Sequence, residues 1–116
     1  MIIRGAKVYT EEGIFKEKEV CIQGENFAET GEDGETIIDG SGCYLIPGLT
    51  DIHFHGCKGA DMCDGTKEAL DVITAYEASI GVTSVCPATM TIQRDELLSV
   101  MKNAGDYTYH GGAHLV

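Results

Sequence analysis

The most constraining feature of the sequence is a change of pattern near residue 45. Beyond this point β-rich runs alternate with segments of helical period, in the order 45–55, 66–80, 82–86, 92–104 and 113–116. Strand–helix–strand alternation is typical of a parallel sheet that is covered by helices. We therefore predict an α/β fold for this part of the chain.

Residues 1–44 have a different character. Seven glycines divide them into short runs of β-forming residues at 1–4, 6–10, 19–22 and 36–39. Ten acidic residues against four basic ones concentrate negative charge in this segment. We predict a small antiparallel sheet with a solvated acidic face.

The two helical segments have recognisable ends. Asp64 or Thr66 is a candidate cap for the first helix, and Gly81 stands where a left-handed C-terminal residue belongs. Thr91 and Gly105 are the corresponding signals for the second helix. Apolar residues at helical spacing predict the buried faces, which are Ala69, Leu70, Val72, Ile73, Tyr76 and Ile80 in the first helix and Leu97, Leu98 and Met101 in the second.

The strongest chemical signal is His53-Phe54-His55. In a strand, residues i and i+2 point to the same face, so both imidazoles would project together while Phe54 faces the other layer. Two neutral imidazoles on one face can bind a divalent metal, although a catalytic zinc normally has three protein ligands. The alternative is a pair of hydrogen-bonded or solvated histidines. Asp51 either orients one of these rings or bonds to nearby backbone.

Two cysteines follow the histidines and raise a second possibility. A structural zinc site of the form H-x-H-x-C-x5-C would use Cys57 and Cys63, but the gap of five residues is wider than in zinc fingers. We prefer to read both as small residues of a loop or core. Cys86 lacks a base at a known spacing, and a buried strand position explains it better than a nucleophilic role.

Other polar residues are weaker site candidates. Asp61 and Thr89 follow the first two predicted strands of the α/β part, where they could contact a ligand's hydroxyl groups. Asp64 is equally well explained as a helix cap. His110 and His114 are read as structural or surface residues, although His114 would face the same interior as the histidine pair if its strand is the third of a barrel.

Charge and cysteine content restrict the partners and the compartment. The net charge of −11 and the scattered basic residues argue against nucleic acid or an anionic membrane as a partner. Five cysteines without a disulfide-framework spacing favour a reducing, cytoplasmic environment. The sequence carries neither a signal-peptide pattern nor an apolar run of about 20 residues.

Several motifs together resemble one enzyme family. The run LIPGLTDIHFHG at 45–56 is similar to the PGxxDxHxHG segment of the amidohydrolase superfamily. The continuation GADM at 59–62, followed by Asp64, and the run GVTSVCPATMT at 81–91 resemble the N-acetylglucosamine-6-phosphate deacetylases within it. The strands before residue 45 are similar to the opening of the same enzymes, so the resemblance covers nearly the whole chain.

The resemblance implies a fold and an activity. It implies the N-terminal part of a (β/α)8 metal-dependent hydrolase barrel at 45–116, preceded by strands of a small β-sandwich at 1–44. It implies hydrolysis of N-acetylglucosamine 6-phosphate to glucosamine 6-phosphate and acetate, by a metal-activated water with an Asp as proton shuttle. His53 and His55 carry over as metal ligands, and the implied cofactor is a divalent metal, zinc or iron.

The same resemblance places other functional groups beyond residue 116. The family's metal-binding Glu, its further metal histidines and the proton-shuttling Asp would all lie on later strands. We therefore expect an N-terminal fragment that contains no catalytic residue and is inactive alone. A partial barrel exposes strand edges and apolar faces, so we also expect homo-oligomers or other self-association.

Two alternatives remain open at this point. One is a cyclic-amide hydrolase of the hydantoinase or dihydroorotase kind, which shares the H-x-H strand. The other is a non-catalytic metal-binding or interaction module that completes its sheet with a partner.

Overall fold

The computed structural model describes residues 1–32, 34–108 and 110–116. The chain forms two compact units, Met1–Pro47 and Gly48–Val116. The turn predicted around Glu32-Asp33-Gly34 includes Asp33, which lies outside the described residues. Within the described part of the chain, no helix is long and apolar enough to cross a membrane.

The described residues of the first unit contain seven short strands. They are β1 (Ile2–Arg4), β2 (Lys7–Tyr9), β3 (Phe15–Glu17), β4 (Val20–Gln23), β5 (Asn26–Ala28), β6 (Ile37–Asp39) and β7 (Tyr44–Leu45). They form two sheets, with strand orders β5-β4-β1-β6 and β3-β2-β7. The sequence patterns predicted β1, β2, β4 and β6 but missed the other three strands, which are only two or three residues long.

The prediction of one antiparallel sheet is wrong, because two of the pairings are parallel. β6 runs parallel to β1, and β7 runs parallel to β2. The two segments 2–9 and 37–45 therefore lie side by side and pass together from one sheet to the other. Gly5, with a φ of +76°, stands at the bend, where an added Cβ would lie 2.7 Å from the hydroxyl of Ser41.

The second unit has the predicted β-α-β-α-β order. Its parallel sheet has the order β12-β11-β8, and its elements are β8 (Leu49–Asp51), β9 (Gly56–Cys57), β10 (Ala60–Asp61), a 3-10 turn (Met62–Asp64), α1 (Lys67–Ser79), β11 (Val82–Val85), α2 (Arg94–Asp106) and β12 (His114–Leu115). Helix α1 lies between β8 and β11, and helix α2 lies between β11 and β12, as the sequence pattern predicted. The hairpin β9–β10, which the patterns did not predict, lies between β8 and α1.

Helix α1 confirms the predicted capping but not the whole predicted face. The Thr66 side chain accepts a hydrogen bond from the N–H of Ala69 at 3.2 Å, so Thr66 rather than Asp64 is the cap. Gly81 has a φ of +92° just past the helix end. Leu70 and Ile73 are buried as predicted, whereas Val72 and Ile80 are exposed and the buried face includes Thr74 and Glu77 instead.

Helix α2 departs further from its prediction. It begins at Arg94 after Gln93, so Thr91 is not its cap, and Gly105 lies within the helix rather than ending it. Leu98 and Met101 are about half exposed, while Val100 is buried. The reason is that α2 packs through a different stripe, with Val100 and Ala104 facing the core at i and i+4. Tyr107, just past the helix end, packs against the same cluster.

Two apolar clusters form part of the core that the structure describes in the second unit. Met62, Leu70 and Val100 form the cluster between the helices and the 3-10 turn. Val82, Val85 and Ala113 form the cluster at the sheet, and Phe54 packs against it. Leu115 of β12 contacts both clusters and joins them.

Substituting Leu70 tests the first of these clusters. Leu70 is 1% exposed, so Leu70→Ala removes buried methyl groups and leaves a cavity, at a cost of about 2–4 kcal/mol in the free energy of unfolding. The matched control is Leu98→Ala, because Leu98 is 54% exposed and its loss should cost less than about 1 kcal/mol. Urea unfolding followed by circular dichroism measures both values. Equal losses in the two variants would contradict this packing.

The hairpin β9–β10 depends on two backbone features. Its two-residue loop, Lys58-Gly59, has positive φ at both positions, 54° and 83°, as a type I′ turn requires. Gly56 faces the opposite strand so closely that an added Cβ would lie 2.1 Å from the carbonyl oxygen of Ala60. Only glycine fits there without moving the backbone.

A second pair of substitutions tests this close approach. Gly56→Ala forces the two strands apart and should cost about 1–3 kcal/mol in the free energy of unfolding. Gly105→Ala is the control, because Gly105 lies in α2 with no atom within 4 Å of the added Cβ. Alanine favours helix there by up to about 1 kcal/mol, so thermal melts should shift in opposite directions. A Gly56→Ala variant as stable as the parent chain would refute the predicted clash.

Candidate metal centre

The histidine pair lies just beyond the carboxyl end of β8, in the loop that leads to β9. The prediction of a strand through His55 was therefore too long. Asp51 ends the strand, because its Oδ1 accepts a hydrogen bond from the N–H of His53 at 3.0 Å and so forms a local turn. Asp51 thus bonds to backbone, the second of the two roles considered for it.

The two imidazole rings nevertheless lie together. Their centroids are 5.3 Å apart and the ring planes are 79° to each other. Two imidazoles that share a tetrahedral ion at ~2.0–2.1 Å have ring centroids roughly 5 Å apart. His53 is exposed and His55 is half-buried, so the pair is accessible from solvent.

The ring of His55 is held by the loop that follows β11. Its Nδ1 lies 2.9 Å from the carbonyl oxygen of Ala88. A carbonyl oxygen only accepts hydrogen bonds, so Nδ1 carries the proton. In the neutral ring the lone pair is then on Nε2, which is the atom free to bind a metal.

The backbone on either side fixes the same geometry. The N–H of Ala88 donates to the carbonyl oxygen of Phe54 at 2.7 Å, and the N–H of Cys86 donates to that of Asp51 at 2.8 Å. Phe54 packs against the cluster of Val82, Val85 and Ala113, as the alternation of the motif predicted for its ring. Ala88 had no role in the sequence-based reasoning, and no local signal marks a contact made by a backbone carbonyl.

Asp61 and Asp64 form a capping box on the 3-10 turn. Oδ1 of Asp61 accepts from the N–H of Cys63 at 2.7 Å, and Oδ2 of Asp64 accepts from the N–H of Asp61 at 2.9 Å. Thr89 is half-buried in the loop after β11. A role of Asp61 or Thr89 in substrate binding stays a prediction.

The alternative zinc site with Cys57 and Cys63 is not assembled. Among the residues that the structure describes, no group of three or more His, Cys, Asp or Glu side chains is placed to share an ion. Sγ of Cys63 instead accepts a hydrogen bond from the N–H of Met90 at 3.1 Å. Burial, together with the charge of Glu77, raises the pKa of the Cys57 thiol and so disfavours the thiolate that a metal requires.

The two remaining histidines, His110 and His114, follow α2 in the second unit. His114 is in β12, where its backbone is opposite Ser84. The ring of His110 contacts that of Tyr107, with centroids 5.9 Å apart. Cys86, predicted to be buried, is exposed just past the end of β11.

A polar cluster that the sequence reasoning missed lies between α1 and the segment after α2. The Tyr107 hydroxyl donates to Oδ1 of Asp71 at 2.9 Å and lies 3.1 Å from Oγ1 of Thr74. Hydrogen bonds from Lys67 and Tyr107 lower the pKa of the Asp71 carboxyl, and burial raises the pKa of Tyr107. The adjoining cavity has a volume of about 210 Å³. We read the cluster as a link between α1 and the segment that follows α2.

Comparison with known proteins finds relatives of the chain by sequence but no matching family model. The chain is 43% identical over 47 residues to the N-acetylglucosamine-6-phosphate deacetylase of Vibrio furnissii, which covers 40% of this chain and 12% of the relative. It is 27% identical over 110 residues to the enzyme of the same name from Lysinibacillus sphaericus, covering 91% of this chain and 28% of the relative.

A relative with a different name shares a shorter stretch. The chain is 31% identical over 58 residues to a dihydroorotase of Bacillus licheniformis, which covers 47% of this chain and 14% of that protein.

A solved structure extends the likeness to the fold. The crystal structure of N-acetylglucosamine-6-phosphate deacetylase from Pasteurella multocida matches 97% of this chain with a TM-score of 0.84, at 22% sequence identity, and the match covers 32% of that structure. The chain thus spans about an eighth to a third of the length of these relatives. In sequence and in fold, it is similar to N-acetylglucosamine-6-phosphate deacetylases, as its motifs predicted.

Proposed function

We propose that the protein takes part in the metal-dependent hydrolysis of N-acetylglucosamine 6-phosphate to glucosamine 6-phosphate and acetate. In this proposal His53 and His55 are two ligands of a divalent metal. The observation that carries it is the pair of adjacent rings at the carboxyl end of β8, with Nε2 of His55 left free by the bond to Ala88. Parallel α/β sheets bind their ligands at this end.

The donor chemistry of the pair fits such an ion. Neutral imidazoles suit zinc and iron, and the carbonyl of Ala88 supplies the outer-shell bond that metal-binding histidines commonly have. A bound metal would polarise the amide carbonyl and lower the pKa of an attacking water. His53 and His55 would hold and orient the ion, while Phe54 anchors their loop in the core.

The proposal also covers substrate contacts, the cellular compartment and self-association. Asp61 and Thr89 border the loops next to the histidines and are our candidates for contacts with sugar hydroxyl groups. A cytoplasmic location agrees with five cysteines that are all free thiols. Exposed Leu98 and Met101 on α2 are apolar surface that self-association would cover.

A second candidate is hydrolysis of a cyclic amide. It is favoured by the similarity to a dihydroorotase and would use the same histidine pair. We rank it below the deacetylase, because the similarity to deacetylases extends over 91% of the chain, against 47% for the dihydroorotase.

Metal binding by the chain itself tests the ligand assignment. We expect the purified chain to bind Zn²⁺, and His53→Ala or His55→Ala to weaken binding by about tenfold or more, because each removes a direct ligand. His110→Ala is the control, since its ring contacts Tyr107 instead. Competition with a chromophoric chelator measures the affinities. Unchanged affinity in both His53 and His55 variants would contradict the assignment.

Turnover of the 116-residue chain tests our expectation that it is inactive alone. Two imidazoles leave a catalytic ion one protein ligand short of the usual three. With Zn²⁺ present we therefore expect no acetate from N-acetylglucosamine 6-phosphate and no ring opening of dihydroorotate. Measurable acetate release would overturn this expectation, and activity on dihydroorotate alone would favour the second candidate.

A further inference from the structure

Two separate segments hold His55, and Cys63 connects them. The ring of His55 bonds to the carbonyl of Ala88, and its own carbonyl oxygen accepts a hydrogen bond from the N–H of Met62 at 2.8 Å. Cys63 follows Met62, and its Sγ accepts the N–H of Met90, two residues beyond Ala88, at 3.1 Å. The contacts therefore close into a ring that begins and ends at His55.

The two segments in this ring are held with different firmness by the rest of the structure. Met62 is buried in the cluster with Leu70 and Val100, so the 3-10 turn is anchored in the core. The turn is also fixed by the capping box of Asp61 and Asp64. The loop after β11 lies outside helices and strands between Pro87 and Gln93, where the N–H of Ala88 holds it to the carbonyl of Phe54 at 2.7 Å. Its link to the 3-10 turn combines the bond from Met90 to Cys63 with the packing of Ile92 against the cluster of Met62.

From this geometry we infer that Cys63 is a positioning residue for the histidine pair. By accepting the N–H of Met90, its sulfur holds the loop so that the carbonyl of Ala88 stays on Nδ1 of His55. The tautomer with a free Nε2 then persists before any ion arrives. This role rests on the proposed metal-binding function, and it gives the thiol a use other than metal ligation.

The expected loss of Zn²⁺ affinity depends on how directly Cys63 contacts the histidine. Removing a group bonded directly to a metal-binding histidine typically lowers metal affinity 10- to 100-fold. Cys63 acts one step further out and through a weak sulfur acceptor. We therefore expect Cys63→Ala to weaken Zn²⁺ binding about three- to tenfold. Cys63→Ser should retain most of the affinity, because a hydroxyl oxygen also accepts an N–H.

The test combines Zn²⁺ affinity with ¹⁵N NMR of the histidine rings in the metal-free chain. In the parent chain the His55 signals, assigned with His55→Ala, should report a single tautomer protonated at Nδ1. In Cys63→Ala they should move toward the average of two exchanging tautomers, and in Cys63→Ser they should stay. Met90→Pro removes the donated N–H and directs its ring at the sulfur, so it breaks the same bond while Cys63 is still present. It should reproduce the alanine result, and the test survives if one variant fails to fold.

Cys57→Ala is the matched control, because Cys57 lies in β9, six residues before Cys63, and outside the ring of contacts. We expect it to change neither the affinity nor the His55 signals. Unchanged His55 signals in Cys63→Ala would overturn the inference. So would equal losses of affinity in the Ser and Ala variants at Cys63, or a matching loss in Cys57→Ala, since both indicate thiolate ligation. If the parent chain binds no Zn²⁺, the proposed function fails, while the NMR comparison still decides the role of Cys63.

Discussion

The candidate site depends on the pairing of β8 with β11, which continues past the ends of both strands. Thr50 and Asp51 pair with Ser84 and Val85 inside the sheet. Beyond it, backbone bonds from Cys86 to Asp51 and from Ala88 to Phe54 keep the two chains side by side. The last contact in this series is made by the ring of His55 with Ala88. The sheet thus extends its order into the loop, which otherwise has no regular structure to hold two imidazoles together.

The two helices hold the His55 loop through the 3-10 turn. Leu70 of α1 and Val100 of α2 enclose Met62, and this packing fixes the 3-10 turn whose N–H reaches the carbonyl of His55. Glycine makes the intervening hairpin possible, since Gly56 lies closer to the Ala60 carbonyl than any side chain allows. Packing of the core and geometry of the site are therefore consequences of the same few contacts. A chain of this kind brings two imidazoles together with little more than two βα units.

The proposed function draws on this placement together with the similarity to deacetylases. Two imidazoles supply only two of the three protein ligands that a catalytic zinc normally has. The structural likeness covers 97% of this chain but 32% of the matched deacetylase structure. The loop that carries the histidine pair and the end of the sheet that positions it are thus properties of this chain, and the complete reaction is a property that we propose for the whole protein.

Local patterns in the sequence determined the order of strands and helices in the second unit apart from the β9–β10 hairpin, because periodicity acts over a few residues. They named Thr66 among the candidate caps of α1 and predicted the inward side of Phe54. They also identified His53 and His55 as the candidate ligands. Long-range packing decided what they did not predict: Val100 rather than Leu98 as the buried residue of α2, and the parallel pairing of β6 with β1. The same holds for the carbonyl of Ala88 on His55 and the thiol of Cys63 on Met90. The last two contacts join residues that are 33 and 27 positions apart. Every residue has a backbone carbonyl, so the sequence cannot show which one bonds to His55, and only the folded chain brings these groups together.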